Sequence, residues 1–267
     1  RPEAEAATYP VPFARVRDVV KPERERLRGR NATADDRARN WWKYGRRSPA
    51  MRKAIADLPE VLAIARVSKT VMPLRVPTGS VASEACVVFA SASYSAQAVL
   101  SSSLHQLWAI TYGSGMRNDP RYTPSDVFET FPRPATTHTL TELGRSLDAE
   151  RRTIMLRRDL GLTKLYNLVN DPELSALSDP DVGRMRELHI ELDRAVLDAY
   201  GWADVDSNHG FHTFRKMQRW TVGPTARVEL LDRLLDENHR RANQERQHVM
   251  VVDSGDDDED EAGLLFQ

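Results

Sequence analysis

The run Trp41-Trp42-Lys43-Tyr44-Gly45-Arg46-Arg47 interleaves flat rings with an ammonium and two guanidinium groups. Arginine forks bridge phosphate oxygens or grip guanine through two parallel bonds. The rings can pack on sugar or backbone. A second role competes, since Trp41 and Trp42 also suit anchoring of the short helix that follows, and one of the two is expected to do so. Further along, Lys69 and Arg75 flank a strand-turn, while Arg117, Asn118 and Arg121 sit on a long loop. Loops held on a rigid scaffold are where recognition residues gather, and Arg and Asn match the edges of guanine and adenine. A solvated surface role is the alternative for each of these side chains.

Other chemistries are missing. Methyl transfer to a base amine requires a Gly-rich turn after a strand to hold S-adenosylmethionine, and a [D/N/S]-P-P-[Y/F/W] loop to grip the extruded base. The chain has no Pro-Pro pair, and its glycine-dense spot, Tyr112-Gly113-Ser114-Gly115, follows a helical pattern rather than a strand. No GxxxxGK[ST], HExxH, GxSxG or paired-Cys pattern occurs. His209 and His212 flank Gly210 and Phe211. They suit a hydrogen-bonded hairpin better than a metal, which would need a third ligand such as His189 or Asp206. His105 reads as a packed or capping group, and Cys86, within the apolar run CVVFA, as a buried inert thiol. No catalytic or metal-binding residue is assigned.

The net charge of -1 conceals an asymmetry. Residues 253–261 carry seven acids and no base; the remainder sets 38 Lys and Arg against 32 Asp and Glu. Residues 1–70 hold 17 bases against nine acids. A basic segment of that kind can neutralise phosphates, although a solvated, charge-rich surface reads the same way. A single Cys excludes an internal disulfide and fits a reducing cytoplasm. No apolar run is long enough to span a bilayer, and no signal peptide is visible. The chain begins without Met, as a fragment or a processed chain would.

These groups need elements to position them. Residues 14–40 read as a helix interrupted at Pro22, then a polar connector, and a short helix covers Pro49–Leu58. The runs 61–67, 71–76 and 86–90 read as strands of a mixed or antiparallel sheet. A helix spans about 94–112, with Ser93 at its start and Gly113 as a left-handed cap. Residues 113–126 then read as loop. Thr139-Leu140-Thr141-Glu142 forms a capping box for a helix to Leu160. Asp179 and Pro180 open a further helix that ends at Gly201. HGFHTF and RWTV pair as a small hairpin across RKMQ, and Pro224 opens a last helix.

Three stretches together resemble the C-terminal region of single-chain type IIG restriction–modification enzymes of the MmeI-like kind, and of related phage-defence adenine methylases. They are NWWKYGRRSPAMRKAIADLPEVLAIARVSKT, AVLSSSLHQLWAITYGSGM with RYTPSDVFETFPRP, and VGRMRELHIELDRAVLDAYGWADVD with HGFHTF. The resemblance covers about residues 10–245. It implies an α+β fold: a small mixed sheet with packed helices, then a mostly helical C-terminal domain. The expected order is a basic helical connector (1–40), a target-recognition domain (41–134) and a helical domain with a small hairpin (135–250), followed by an acidic tail (251–267) that has too little apolar surface to fold and reads as disordered. The resemblance implies double-stranded DNA and a methyltransferase domain or subunit as partners, with S-adenosylmethionine bound there rather than here. The candidate DNA-binding residues are then Trp41, Lys43, Arg46, Arg47, Lys69, Arg75, Arg117, Asn118 and Arg121. The expected role is sequence-specific DNA recognition for an adenine-specific methyltransferase, in the cytoplasm at the nucleoid. The alternative is an assembly subunit that docks a methylase through amphipathic helices such as 182–199, with little DNA contact.

Overall fold

The computed structural model describes residues 2–45, 48–116 and 119–255. The chain divides into two compact units, Arg1–Ala56 and Asp57–Gln267. Residues 57–134 and 135–250 both lie in the second of these units.

The first unit is helical. It holds α1 (Glu3–Ala7), α2 (Pro10–Arg26), α3 (Ala32–Arg39) and α4 (Pro49–Ala54). Helix α2 runs through Pro22, giving up one backbone bond, and stops near Gly29, whose φ of 86° suits only an uncrowded residue. Asn31 then caps α3 by accepting from the Ala34 amide at 2.9 Å.

The second unit begins with a three-stranded sheet, β1 (Glu60–Ala65), β2 (Leu74–Pro77) and β3 (Cys86–Phe89), ordered β2-β1-β3 and antiparallel throughout. Leu62, Arg75 and Phe89 lie side by side in its register. Leu62 is fully buried, so Arg75 faces the core with it.

Two helices, α5 (Tyr94–Ser101) and α6 (Ser103–Tyr112), replace the single helix expected over 94–112. The break is chemical. Ser102 takes an extended backbone, donates its hydroxyl to Val99 O at 2.7 Å and accepts the His105 amide at 3.2 Å. Gly113 has a φ of -71°, so it is not a left-handed cap. It is glycine because a methyl group there would collide with the Ala109 carbonyl.

The segment read as loop contains β4 (Ser114–Met116), β5 (Asp119–Arg121) and α7 (Pro124–Val127). Helix α8 (His138–Arg157) is capped two residues before the expected cap Thr139, with Thr137 accepting from the Leu140 amide at 3.1 Å. Gly144 lets α8 approach the first turn of α5 at the Tyr94 carbonyl. Next come α9 (Leu162–Val169), α10 (Pro180–Tyr200), the hairpin β6 (Gly210–Phe214) and β7 (Met217–Thr221), and α11 (Pro224–Gly255). Asp179 caps α10, and Gly201 ends it at a φ of 75°. Helix α11 reaches Gly255, beyond the boundary read at 250, and the rest of the acidic tail lies outside the described residues.

The core runs unbroken from the sheet to α10 and α11. Val182, Met185, Leu188, Leu192 and Val196, the apolar stripe of α10, are all inside it. Two histidines are inside it as well. His105 donates from Nδ1 to Leu100 O at 2.8 Å and accepts the Tyr122 hydroxyl at Nε2, 3.0 Å away. His189 lies 2.8 Å from the Tyr166 hydroxyl. Burial pushes both imidazoles from 6.5 down to about 4.

Both histidines stay neutral in the folded chain at pH values where the unfolded chain takes up protons. Their stabilising effect is complete above pH 6.5 and is lost as the pH falls from there towards 4. Each should contribute a slope of up to about 1.4 kcal/mol per pH unit in that window. Urea unfolding at pH 7 and pH 5 checks this; equal midpoints would contradict the neutral, buried assignment.

Candidate nucleic-acid interface

The RVSKT and RYTPSD stretches meet through their backbones. The Tyr122 amide donates to Arg66 O at 2.7 Å, the Ser68 amide donates to Pro120 O at 3.3 Å, and Val67 bridges to Arg121. Arg66 spends its own amide on Ala85 O and its Nε on Glu84 O. Within the turn, Ser68 Oγ accepts the Thr70 amide at 3.0 Å, which leaves the Lys69 side chain exposed. On the other side, Gly115 and Ser114 of β4 pair with Pro120 and Arg121 of β5. Arg121 is exposed.

The β6–β7 hairpin closes a third wall. Phe214 pairs with Met217, so Arg215 and Lys216 alone form its turn, at φ of 45° and 65°. Positive φ at both central positions is the geometry that matches strand twist, and Asn-Gly normally supplies it. Two long cations there cost on the order of 1 kcal/mol or more each. Arg215 donates to Thr111 O at 3.3 Å, at the carbonyl end of α6, where a cation suits the helix dipole.

Lys69, Ser114, Gly115, Asp119, Arg215 and Lys216 line a cleft of about 460 Å³. Three cations face one carboxylate there. Neither the Lys69 nor the Lys216 ammonium has a hydrogen-bond or ion-pair partner among the described residues. Exposed, unpaired cations around a concave floor form a field suited to a polyanion.

Buried polar contacts hold the hairpin in place. Asp193, wholly buried on α10, accepts the Ser103 amide at 2.7 Å and lies 2.6 Å from His209 Nε2. Thr221 of β7 donates to Ser103 Oγ at 3.2 Å, and the Trp220 amide donates to Asn170 Oδ1 at 2.9 Å. Arg219, which burial pulls below its ordinary pKa, donates to the Lys69 carbonyl. Arg186 lies over the Phe211 and Trp220 rings, at 4.7 and 5.3 Å. His212 turns to its own hairpin, with Nε2 donating to Asn208 O at 3.0 Å. Among the described residues no three His, Cys, Asp or Glu side chains are grouped as a metal would need.

Not every sequence candidate reaches this surface. The Arg75 side chain is 3% exposed; it donates to Ala92 O at 2.9 Å and Gln97 Oε1 at 3.3 Å, with Glu60 3.6 Å away. Those partners occupy its guanidinium inside the fold, because its register position faces the core. Trp41 is also buried, in the first unit, packed on Phe13 at 5.2 Å and Trp42 at 5.9 Å. Arg24 holds its turn by donating to Trp41 O and Lys43 O, at 3.0 and 2.7 Å. Lys43 is half-buried, with Nζ 5.2 Å from the Trp42 ring centre. Arg46, Arg47, Arg117 and Asn118 lie outside the described residues. Arg215 and Lys216 were within the RKMQ turn as read from sequence, but nothing marked them as a wall of this cleft.

Two measurements follow. Asp193→Ala leaves His209 and the start of α6 without their buried acceptor, and should lower unfolding stability by about 3 kcal/mol in urea; a loss under about 1 kcal/mol would contradict the anchoring role. Replacing Arg215-Lys216 with Asn-Gly should raise stability by about 1–2 kcal/mol, since the turn strain is relieved. A destabilised double variant would show that the turn is not strained.

The family model described as MmeI, target recognition domain, matches residues 3–135. Among solved structures, the chain is similar to the type IIL restriction–modification enzyme MmeI in complex with DNA, at 20% identity and a TM-score of 0.55. The likeness covers 88% of this chain and 27% of that one, so the chain spans about a quarter of that enzyme's length. At this identity the likeness speaks to the fold. No curated protein matches the chain.

Proposed function

The chain belongs, through residues 3–135, to the family of the MmeI target recognition domain, and from that premise we propose that it reads DNA sequence for an adenine-specific, S-adenosylmethionine-dependent methyltransferase of a restriction–modification or phage-defence system. The observation that carries the reading is the cationic cleft, with Lys69, Arg215 and Lys216 exposed around it and Arg121 on the adjoining strand. These side chains contact phosphates and fix the register of the protein on the duplex. Base edges are read from the connection between β4 and β5, where Arg117 and Asn118 carry suitable donors and acceptors. Lys43, Arg46 and Arg47 of the first unit add phosphate contacts. Arg75 and Trp41 are withdrawn from the set, as their side chains are spent inside the fold.

The methyltransferase, with its S-adenosylmethionine, is a separate domain or subunit, since no Gly-rich cofactor turn or Pro-Pro-containing loop occurs in this sequence. Among the described residues no helix is long and apolar enough to cross a membrane. The assembly-subunit alternative relied on an available apolar face on the 182–199 helix. That face is inside the core, which removes the observation that favoured it.

Phosphate contacts make affinity fall with salt, by a logarithmic slope of about 0.9 per phosphate neutralised. Lys69→Ala and Lys216→Ala should each reduce that slope by about 1 and weaken all duplexes alike. Arg117→Ala or Asn118→Ala should instead cost about 1–3 kcal/mol on the preferred site alone and relax preference at one position. Binding to a panel of duplexes at two salt concentrations, with the associated methylase present, checks both. Salt-independent binding, or slopes unchanged in both lysine variants, would overturn the cleft as the contact surface.

A further inference from the structure

A second cleft, of about 300 Å³, opens at the start of α5 and shares no lining residue with the first. Phe89, Ser93, Ser95, Leu100, Phe128 and Arg133 are on its walls. Ser93 is the cap residue: its hydroxyl accepts the Ala96 amide at 3.2 Å and its carbonyl accepts the Gln97 amide at 3.1 Å. The Tyr94 and Ser95 amides make no hydrogen bond among the described residues. They are the free first-turn donors of the helix, where its dipole favours negative charge.

Two side chains point to a ligand independently of the helix. Ser95 is 2% exposed and lines the cleft, yet its hydroxyl has no partner among the described residues. Arg133 is exposed and unpaired, with its guanidinium carbon 4.4 Å from the centre of the Phe128 ring. No carboxylate lines the cleft. Arg75 and Arg145 flank the Tyr94 ring at 3.9 and 4.8 Å and add positive field at the helix start, which Glu60 beside Arg75 and Glu142 beside Arg145 partly offset.

The donor set on the cleft walls is the Ser95 amide, the Ser95 hydroxyl and the Arg133 guanidinium fork. It suits the several oxygens of a phosphoryl group. Phe89 and Phe128, 4.8 Å apart, form an apolar wall beside it that can take a flat group carried by the same ligand. We infer that this cleft binds a phosphate ester, with its oxygens on the Ser95 amide, the Ser95 hydroxyl and Arg133, and its organic part against Phe89 and Phe128. The ester comes from a free nucleotide or from a DNA backbone. The inference does not rest on the Lys69 cleft meeting DNA.

Titrations of the full chain at fixed ionic strength, read from backbone amide resonances, test it. Inorganic phosphate and thymidine 5′-monophosphate should shift the Ser95 amide, while thymidine and acetate leave it in place. Arg133→Gln should weaken thymidine 5′-monophosphate about tenfold and Ser95→Ala about threefold. Lys69→Ala should leave that binding unchanged, so failure of the DNA-reading proposal is separately visible. With a duplex as probe, weakening by Arg133→Gln identifies a backbone phosphate as the ester; an unaltered duplex affinity, with thymidine 5′-monophosphate still dependent on Arg133, identifies a free nucleotide. Absence of shifts at millimolar phosphate and thymidine 5′-monophosphate, equal shifts with acetate, or binding indifferent to Arg133→Gln would overturn the inference.

Discussion

The Asp193 carboxylate is wholly buried, and it joins two elements far apart in the sequence. One oxygen accepts the first amide of α6 and the other meets His209 just ahead of β6. A buried carboxylate is tolerated only when its hydrogen-bonding capacity is filled, so this position constrains both elements at once. The hairpin thereby rises beside the carbonyl end of α6, where Arg215 finds the Thr111 carbonyl. Arg219 then ties β7 to the turn that carries Lys69. The three cations of the cleft are neighbours because of these contacts; in the sequence Lys69 is remote from Arg215 and Lys216.

Helix ends with capping chemistry were readable in advance. Asp179, Pro180 and Gly201 bound α10 as their types imply, and the apolar stripe between them is the stripe that is buried. The break at Ser102 was not readable, because three serines within an apolar run look like a helical face until their hydroxyls are seen to cap. The strands of the β4–β5 hairpin are too short for an alternation pattern and contain Gly and Pro, so composition gave a loop. Arg75 misled for a related reason. A charged residue between Leu74 and Val76 reads as the solvent side of a strand, but its register partner Leu62 is in the core.

The candidate site was half legible for reasons of the same kind. Lys69 and Arg121 stood out because they border turns, and their motifs are joined by main-chain bonds that do not depend on side-chain identity. Arg215 and Lys216 did not, because a two-residue turn with both residues at positive φ is normally announced by Asn-Gly, and here the turn residues break that rule. The asymmetry of charge along the chain was visible from composition, but it pointed to residues 1–70 as a whole and not to a cleft built jointly by the Lys69 turn and a hairpin near residue 215.

The central claim is that this cleft faces DNA. Reductive trapping of lysine amines on a duplex containing abasic sites, read by mass spectrometry of the cross-linked peptides, tests it directly. Trapping is expected at Lys69 and Lys216. Trapping confined to lysines such as Lys21 and Lys164, with both cleft lysines unmodified, would contradict it.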